Sequence, residues 1–409
     1  MAEQQLLADA IRDQAALSAR LLHHLSLRCG DRNLAVSPAS FHTVLYLLAT
    51  GSTGVQPTTA RSYPSSAPPA LKHTPPSPPI SDEEVDEADG NHEVAEVVYA
   101  TGIWVDSSLR LKPAFVAAVA SMYDAVTRAV CFSSSPEQAR SEINEWLEAK
   151  TGGRWKELLH EGSIVASTAV VLANALYFRG YWYDPFDASL TEDGDFYVSP
   201  GRAVRAPFMA GSELHHQHMC IGVHPGFKVL RMRYAGGHHG RFFSMCIYLP
   251  DDRDGLPGLL RALSNDPAPL LAVPKRRVPV GELRIPKFEA SLRLEASGLL
   301  RELGLDLPFC PAQAGESFSE MLELDDADAL MPMEVSSVVH QCSVHVNEKG
   351  TVAAAATELE MLGFGLPSDD ETAVDFIADH PFLFCIRQED EHSSGVVVFA
   401  GQIVNPLLD

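Results

Sequence analysis

The 409-residue chain carries residues able to do chemistry, but they do not assemble into a catalytic set. His215, His216 and His218, with Cys220, offer the nitrogen and sulfur donors that zinc prefers. In a chain with sixteen histidines the simpler reading is an accidental exposed cluster. His92-Glu-Val-Ala-Glu96 starts like the zinc-protease motif and lacks its second histidine. No Gly-x-Ser-x-Gly elbow, phosphate-binding glycine loop or dinucleotide fingerprint is present. Lys275-Arg276-Arg277 is a small basic knot, a solvated surface by default and a polyanion site otherwise. No metal, cofactor or catalytic residue is therefore expected, and an enzyme is the weakest of the function classes.

The stretch the rest is organised around is Asn347-Glu-Lys-Gly-Thr-Val-Ala-Ala-Ala-Ala-Thr-Glu-Leu-Glu-Met-Leu-Gly-Phe364. Read with a period of two, Thr351, Ala353, Ala355, Thr357, Leu359 and Met361 share one side and are uncharged. Val352, Ala354, Ala356, Glu358, Glu360 and Leu362 share the other, with both acids. Alternate residues of a strand face opposite sides of a sheet. The stretch therefore suits a sheet with one dry face, and small side chains suit a strand that must enter an already packed interior. Alanine with glutamate and leucine is also good helix material, so an exposed helix or linker competes with this reading.

The remaining sequence supplies the elements that must hold such a stretch. At 46% apolar, the chain can bury one large core or two ordinary ones. A net charge of −23 argues against nucleic acid or an anionic membrane as partner. The longest apolar run, Ile164 to Phe178, is shorter than the ~20 residues that span a bilayer. Seven scattered cysteines without paired spacing read as free buried thiols in a reducing compartment. Met1-Ala-Glu-Gln-Gln lacks an apolar leader core, so a cytoplasmic protein is expected. Residues 4–27 read as a helix with Leu7, Ile11, Ala15, Leu22 and Leu25 on one side, and Ser37-Pro38 caps a second. Residues 55–98 break the pattern: eight prolines fall between Val55 and Ile80 and six acids within 82–89, which reads as a disordered loop. Tyr99 to Val105 reads as strand, Ser135-Pro136 opens a helix, and Ala166 to Phe178 reads as a strand buried on both sides. Phe242 to Leu249 and Phe288 to Glu295 read as strands, and Pro381–Ile386 with Val396–Ala400 as a hairpin.

Glu348-Lys349-Gly350-Thr351 followed by four alanines and Thr357 strongly resembles the reactive-loop hinge of serpins, the suicide protease inhibitors. The resemblance runs from about Asn33 to Pro406 and looks closest to plant-type members. It is carried by Asn33-Leu-Ala-Val-Ser-Pro-Ala-Ser40, Tyr99-Ala-Thr-Gly-Ile-Trp-Val105, Leu172-Ala-Asn-Ala-Leu-Tyr-Phe-Arg-Gly-Tyr-Trp182, Asp379-His-Pro-Phe382 and Gly401-Gln-Ile-Val-Asn-Pro406. It implies a single α+β domain over residues 1–409: a large central sheet, smaller sheets and helices behind, with hinge and reactive loop at 347–378. Residues 55–98 replace helices that the family normally places there.

The same resemblance implies a monomeric inhibitor of a serine or papain-like cysteine protease, with a metastable fold and an inserting loop. Glu348, Gly350, Thr351, Ala353, Ala354, Ala355, Ala356 and Thr357 match the hinge. Ser37, Ser40, Asn174 and His340 match the polar cluster where the sheet opens, and Trp182 the aromatic at its top. Spacing from Gly350 puts the scissile bond at Phe364-Gly365, with Leu362 and Leu366 as alternatives. Phe364 suits the hydrophobic specificity slot of chymotrypsin-like enzymes. A non-inhibitory member, cleaved as a substrate or serving in binding or storage, is the second reading.

Overall fold

The computed structural model describes residues 2–51, 95–212, 215, 219–236, 241–303, 309, 312–313, 318–324, 332–351, 373–390 and 395–408. α1 (Ala2–Cys29) buries Ile11, Ala15, Leu22 and Leu25 along one face. α2 (Pro38–Gly51) starts at Ser37, whose Oγ accepts the Ser40 amide at 3.2 Å. That is the capping bond the Ser-Pro pair predicts. α3 (Pro113–Tyr123) and α4 (Pro136–Lys150) follow. Ser135 makes no side-chain cap, so Pro136 alone fixes the start of α4. α5 (Leu256–Asn265), α6 (Ala268–Leu271) and α7 (Ser297–Glu302) complete the described helices.

In chain order the strands are β1 (Leu34–Val36), β2 (Glu96–Asp106), β3 (Val126–Val130), β4 (Val170–Tyr181), β5 (Glu192–Ser199) and β6 (Arg202–Ala210). Next come β7 (Cys220–His224), β8 (Phe227–Arg233), β9 (Arg241–Pro250), β10 (Leu283–Pro286), β11 (Phe288–Glu295) and β12 (Ala312–Gln313). The last are β13 (Pro332–Met333), β14 (Val335–Val346), β15 (Gly350–Thr351), β16 (Phe376–Ile377), β17 (Phe382–Asp390) and β18 (Val396–Ile403). The principal sheet runs β11-β14-β4-β2-β3, with β15 paired to the end of β4. A second sheet runs β1-β18-β17-β9-β8-β7, a third β16-β10-β6-β5, and β12 pairs β13.

β4 is buried on both faces, which is why it reads as a continuous apolar run. Val170 and Leu172 pack in the core that includes Phe41, Val44 and Leu47 of α2. Leu176 and Phe178 pack with Tyr234 and Phe399. Val171, Ala173 and Ala175 face Ile143, Trp146 and Leu147 of α4 on the opposite side. The arrangement is α+β.

Three sequence boundaries and one burial expectation need correction. β4 begins at Val170 rather than Ala166, because Thr168 closes a turn: its amide donates to Val165 O at 2.9 Å and its Oγ1 accepts the Val165 amide at 3.1 Å. Glu96, Val97 and Val98 belong to β2 and not to the 55–98 loop; Glu96 pairs with Arg179 at 2.6 Å and Val97 lies opposite Phe178. Residues 55–94 lie outside the described residues. The tract expected to loop through 378 has become strand by Phe376, since β16 pairs in parallel with β10. Finally, Cys131 is exposed and Cys29 and Cys220 are half-buried, so only Cys246, Cys342 and Cys385 of the six described cysteines, all free, are buried; Cys310 lies outside the described residues.

Candidate functional site

Asn174 and His340 face each other across the seam between β4 and β14, two parallel strands paired from Val170 and Val335 to Tyr177 and Ser343 with one register shift between Val335 and Ser337. His340 is 2% exposed and sits against the start of α2. Its Nε2 accepts the Ser37 amide at 3.4 Å, so Nδ1 carries the proton and donates to Ser40 Oγ at 3.2 Å. Ser37 Oγ donates to Val398 O at 2.6 Å, tying the cluster to β18 of the second sheet. The Phe41 ring lies 4.8 Å from the imidazole. Burial pushes the His340 pKa down to about 3, so the ring is held neutral. Asn174 donates Nδ2 to Thr101 Oγ1 of β2 at 3.0 Å. Its Oδ1 is buried with no hydrogen-bond partner among the described residues. Buried polar atoms are nearly always paired, so this orphan acceptor needs a reason.

Above Tyr177 and Ser343 the seam is occupied by something else. β14 ends at Val346 and the chain reverses over Asn347-Glu-Lys-Gly350. Asn347 Oδ1 accepts the amides of Lys349 and Gly350 at 3.0 and 3.2 Å, the turn chemistry that favours asparagine here. Gly350 has φ +148°, and a Cβ there would stand 2.1 Å from Gly180 O, so only glycine fits. β15 then runs antiparallel to β4, with Gly350 opposite Tyr181 and Thr351 opposite Gly180. Thr351 is 1% exposed, and its Oγ1 bonds the Tyr234 hydroxyl at 2.7 Å.

Trp182 fixes this turn from above. Its amide donates to Lys349 O at 2.8 Å, its indole Nε1 donates to Asn347 O at 3.0 Å, and its ring stacks on Tyr234 at 4.4 Å. Glu348 is clamped from three directions. The Phe186 amide donates to its carbonyl at 2.9 Å, Thr191 Oγ1 donates to Oε1 at 2.9 Å, and Lys287 Nζ lies 3.2 Å from Oε2. Burial acts to raise the Glu348 carboxyl, but its hydrogen bonds and Lys287 outweigh that and hold it below the ordinary value.

The structure thus brings Ser37, Ser40, His340 and Asn174 together at one level of the seam, and Glu348, Gly350, Thr351 and Trp182 at its top. Ala353, Ala354, Ala355, Ala356, Thr357, Leu362, Phe364, Gly365 and Leu366 lie outside the described residues. Sequence reasoning missed Thr191, Tyr234 and Lys287, which sit in three unrelated segments with no shared pattern. It also misjudged His215. That ring is 1% exposed rather than on the surface, stacked on Phe186 at 4.6 Å, with Nδ1 accepting from Ser212 and Nε2 donating to Asp184 O. His216 and His218 lie outside the described residues. Among the described residues no group of three or more His, Cys, Asp or Glu is placed to hold a metal ion, and no helix is long and apolar enough to cross a membrane.

Comparison with known proteins agrees with this architecture. The family described as Serpin (serine protease inhibitor) matches residues 12–406. Serpin-ZXA of Oryza sativa subsp. japonica is 40% identical over 398 residues, covering 92% of this chain and 91% of the relative. Serpin-ZX of Arabidopsis thaliana is 36% identical over 406 residues, covering 98% and 99%. The structure of Arabidopsis AtSerpin1 in its native stressed conformation superposes with a TM-score of 0.79 at 34% identity, covering 98% of this chain and 99% of that one. Uncleaved ovalbumin, at 20% identity, shares the fold with a TM-score of 0.73 over 98% of this chain and 100% of its own. By sequence and by fold, this chain belongs to the serpin family of serine protease inhibitors.

Proposed function

We propose that the chain traps a chymotrypsin-like serine protease, or a papain-like cysteine protease, as a suicide substrate whose cut loop enters the principal sheet. The protein acts as a monomer in a reducing, cytoplasmic setting and contributes no catalytic residue. The protease attacks the Phe364-Gly365 bond and forms its acyl-enzyme. Freed at that point, the residues after Thr351 continue β15 down the seam between β4 and β14 and carry the protease with them. Deacylation then fails because the protease's catalytic geometry is disturbed before water completes the reaction.

The observation that carries this reading is β15 itself: two residues of the hinge are already paired antiparallel to β4 and aimed down the seam. Extending the register of Thr351 opposite Gly180 sets Ala353 against Phe178, Ala355 against Leu176 and Thr357 against Asn174. The Thr357 hydroxyl then supplies the donor that Asn174 Oδ1 lacks. Insertion replaces one parallel ladder, β4 with β14, by two antiparallel ladders. Antiparallel pairing is slightly more stable per residue, and the number of ladder bonds rises, so the uncut arrangement is the less stable one. A fold of this kind persists because its barrier is high.

Incubation with chymotrypsin tests the proposal. A covalent complex that survives denaturant and heat is expected. Complete turnover into two fragments with no complex overturns it and favours a non-inhibitory serpin cleaved as a substrate. If nicking near Phe364 leaves Tm unchanged, no strain was stored and the insertion mechanism fails.

A further inference from the structure

Cys246 of β9 and Cys385 of β17 lie directly opposite each other in an antiparallel pair of the second sheet. Both are fully buried. Directly opposed antiparallel residues have Cα atoms about 4.5–5.5 Å apart, inside the roughly 4.4–6.8 Å that a disulfide spans. Cys385 Sγ donates toward the Tyr248 hydroxyl at 4.0 Å. Two residues along the same face of β17 stands Arg387, also fully buried, whose guanidinium donates to the carbonyls of Leu270 and Gly395. Glu389 on that face is paired with Arg231 at 2.9 Å and accepts from Ser244.

A pair of cysteines in a core is usually just two small apolar side chains. This pair differs because the two side chains are directly opposed in the ladder and a fixed, buried cation stands two residues along the strand. Burial acts to raise the Cys385 thiol, yet the Cys246 thiol, Arg387 and Tyr248 outweigh it and bring Cys385 below the ordinary value. Interaction with Cys385, with burial second, drives Cys246 well up, so Cys385 is the readier of the two to lose its proton.

We infer that Cys246 and Cys385 form a redox-active dithiol that closes into a cross-strand disulfide when a peroxide reaches it. Cys385 gives up its proton and attacks one peroxide oxygen, breaking the O–O bond and giving a sulfenic acid and hydroxide, which takes up that proton to become water. The Cys246 sulfur then attacks the sulfenic sulfur, the S–S bond forms, and the S–OH oxygen leaves as a second water with the Cys246 proton. The two thiols lose two electrons and the peroxide gains them.

The bond has a consequence that rests on the loop-cleavage reading. Cys246 precedes the reactive loop and Cys385 follows it. In the reduced protein, a cut at Phe364-Gly365 leaves residues 365–409 attached by strand pairing and packing alone. In the oxidised protein the same cut leaves them covalently joined to the body.

The test uses the full chain, reduced or treated with hydrogen peroxide, then denatured, alkylated and mapped by peptide mass. The expected result is one linked pair of peptides containing Cys246 and Cys385, lighter by two hydrogens and separated by dithiothreitol. In Cys246→Ser the link is lost and dimedone captures Cys385 as its sulfenic acid. Full alkylation of both residues after peroxide, or independent oxidation of each without a link, overturns the inference. As a second readout, chymotrypsin-nicked oxidised protein runs as one band without reductant and two with it. If chymotrypsin fails to nick the chain, the loop reading fails while the peptide map still decides the dithiol.

Discussion

Lowering the pH should weaken this fold through His340, and the size of the effect follows from where the ring sits. Its Nε2 faces the Ser37 amide, a donor, so a proton placed there would set two N–H groups head to head. Burial lowers its pKa from 6.5 to about 3 in the fold, whereas the unfolded chain leaves it near the ordinary value. The unfolded state therefore binds the extra proton first, and stability is lost as pH falls from about 6.5 toward about 3. At pH 5 the gap of about 1.5 units below the unfolded pKa costs about 2 kcal/mol, rising toward about 5 kcal/mol near pH 3. His42, lowered to about 4 by burial, adds a comparable loss at pH 5, so the difference between proteins must be read rather than the wild type alone. His340→Gln keeps a donor and an acceptor but does not titrate. It should be the less stable protein at neutral pH, with a deficit that shrinks by about 2 kcal/mol, or about 2 °C in Tm for a chain of this size, on going to pH 5. Scanning calorimetry of both proteins at one scan rate reads this directly. A deficit that stays constant across the range would mean the ring titrates normally in the fold, and the cluster would not be the dry, donor-facing site described.

Four further outcomes follow from the same geometry. Thr351→Arg places a guanidinium at a position 1% exposed and strands the Tyr234 hydroxyl; loop cleavage by chymotrypsin should persist while covalent complex formation falls by at least about 100-fold, judged on denaturing gels. Glu348→Lys removes the acceptor for Thr191 and sets two cations together, lowering stability by about 1–3 kcal/mol after discounting for the partly exposed Lys287; the double variant with Lys287→Glu should recover most of the loss in Tm. Gly350→Ala drives a methyl into Gly180 O and should cost at least about 2 kcal/mol, measured as a fall in Tm. Phe364→Arg should move inhibition from chymotrypsin to trypsin, read as a reversal of the two association rate constants.

Alternation and small side chains are local properties that a sequence displays directly, and among the described residues of that stretch Thr351 faces inward as the period of two requires. β4 was legible because both of its faces are apolar, so it reads as an unbroken run. β14, its parallel neighbour, was not read as a strand at all. Val335-Ser-Ser-Val-Val-His-Gln-Cys-Ser-Val-His-Val346 mixes buried polar residues, His340 and Ser343, with buried valines on both faces, and neither a clean alternation nor a clean run survives. His340 was placed by family resemblance, while its bonds to Ser37 and Ser40 come from the fold. The partners of Glu348 and Thr351 were invisible for another reason. Thr191 precedes β5, Tyr234 follows β8 and Lys287 lies between β10 and β11, so only tertiary structure brings them together. His215 shows the converse error: a run of histidines looks like a surface, but one ring stacked on Phe186 is core.

On the loop-insertion proposal, the shape of the seam accounts for the alanines that follow Thr351. On β4 the next positions on the inward face below Gly180 are Phe178 and Leu176, both buried, and Phe178 already contacts the rings of Tyr234, Phe243 and Phe399 within 6.2 Å. A strand entering opposite Phe178 meets a space filled by aromatics, and interiors at crystal-like density tolerate little added volume. One methyl per residue is what that depth accepts. At the next level the packing constraint gives way to a hydrogen-bonding one, because Asn174 Oδ1 is buried and unpartnered. A hydroxyl of threonine size answers that need, whereas a fifth alanine would leave the acceptor stranded at about 1–3 kcal/mol. In the proposed register, Ala353, Ala355 and Thr357 would thus meet Phe178, Leu176 and Asn174 along β4. Thr357→Val, nearly isosteric but unable to donate, isolates that last match: it should leave cleavage and the uncut protein unchanged while lowering the Tm of the cleaved form. An unchanged cleaved Tm would show that the strand, if it enters, does so in a different register.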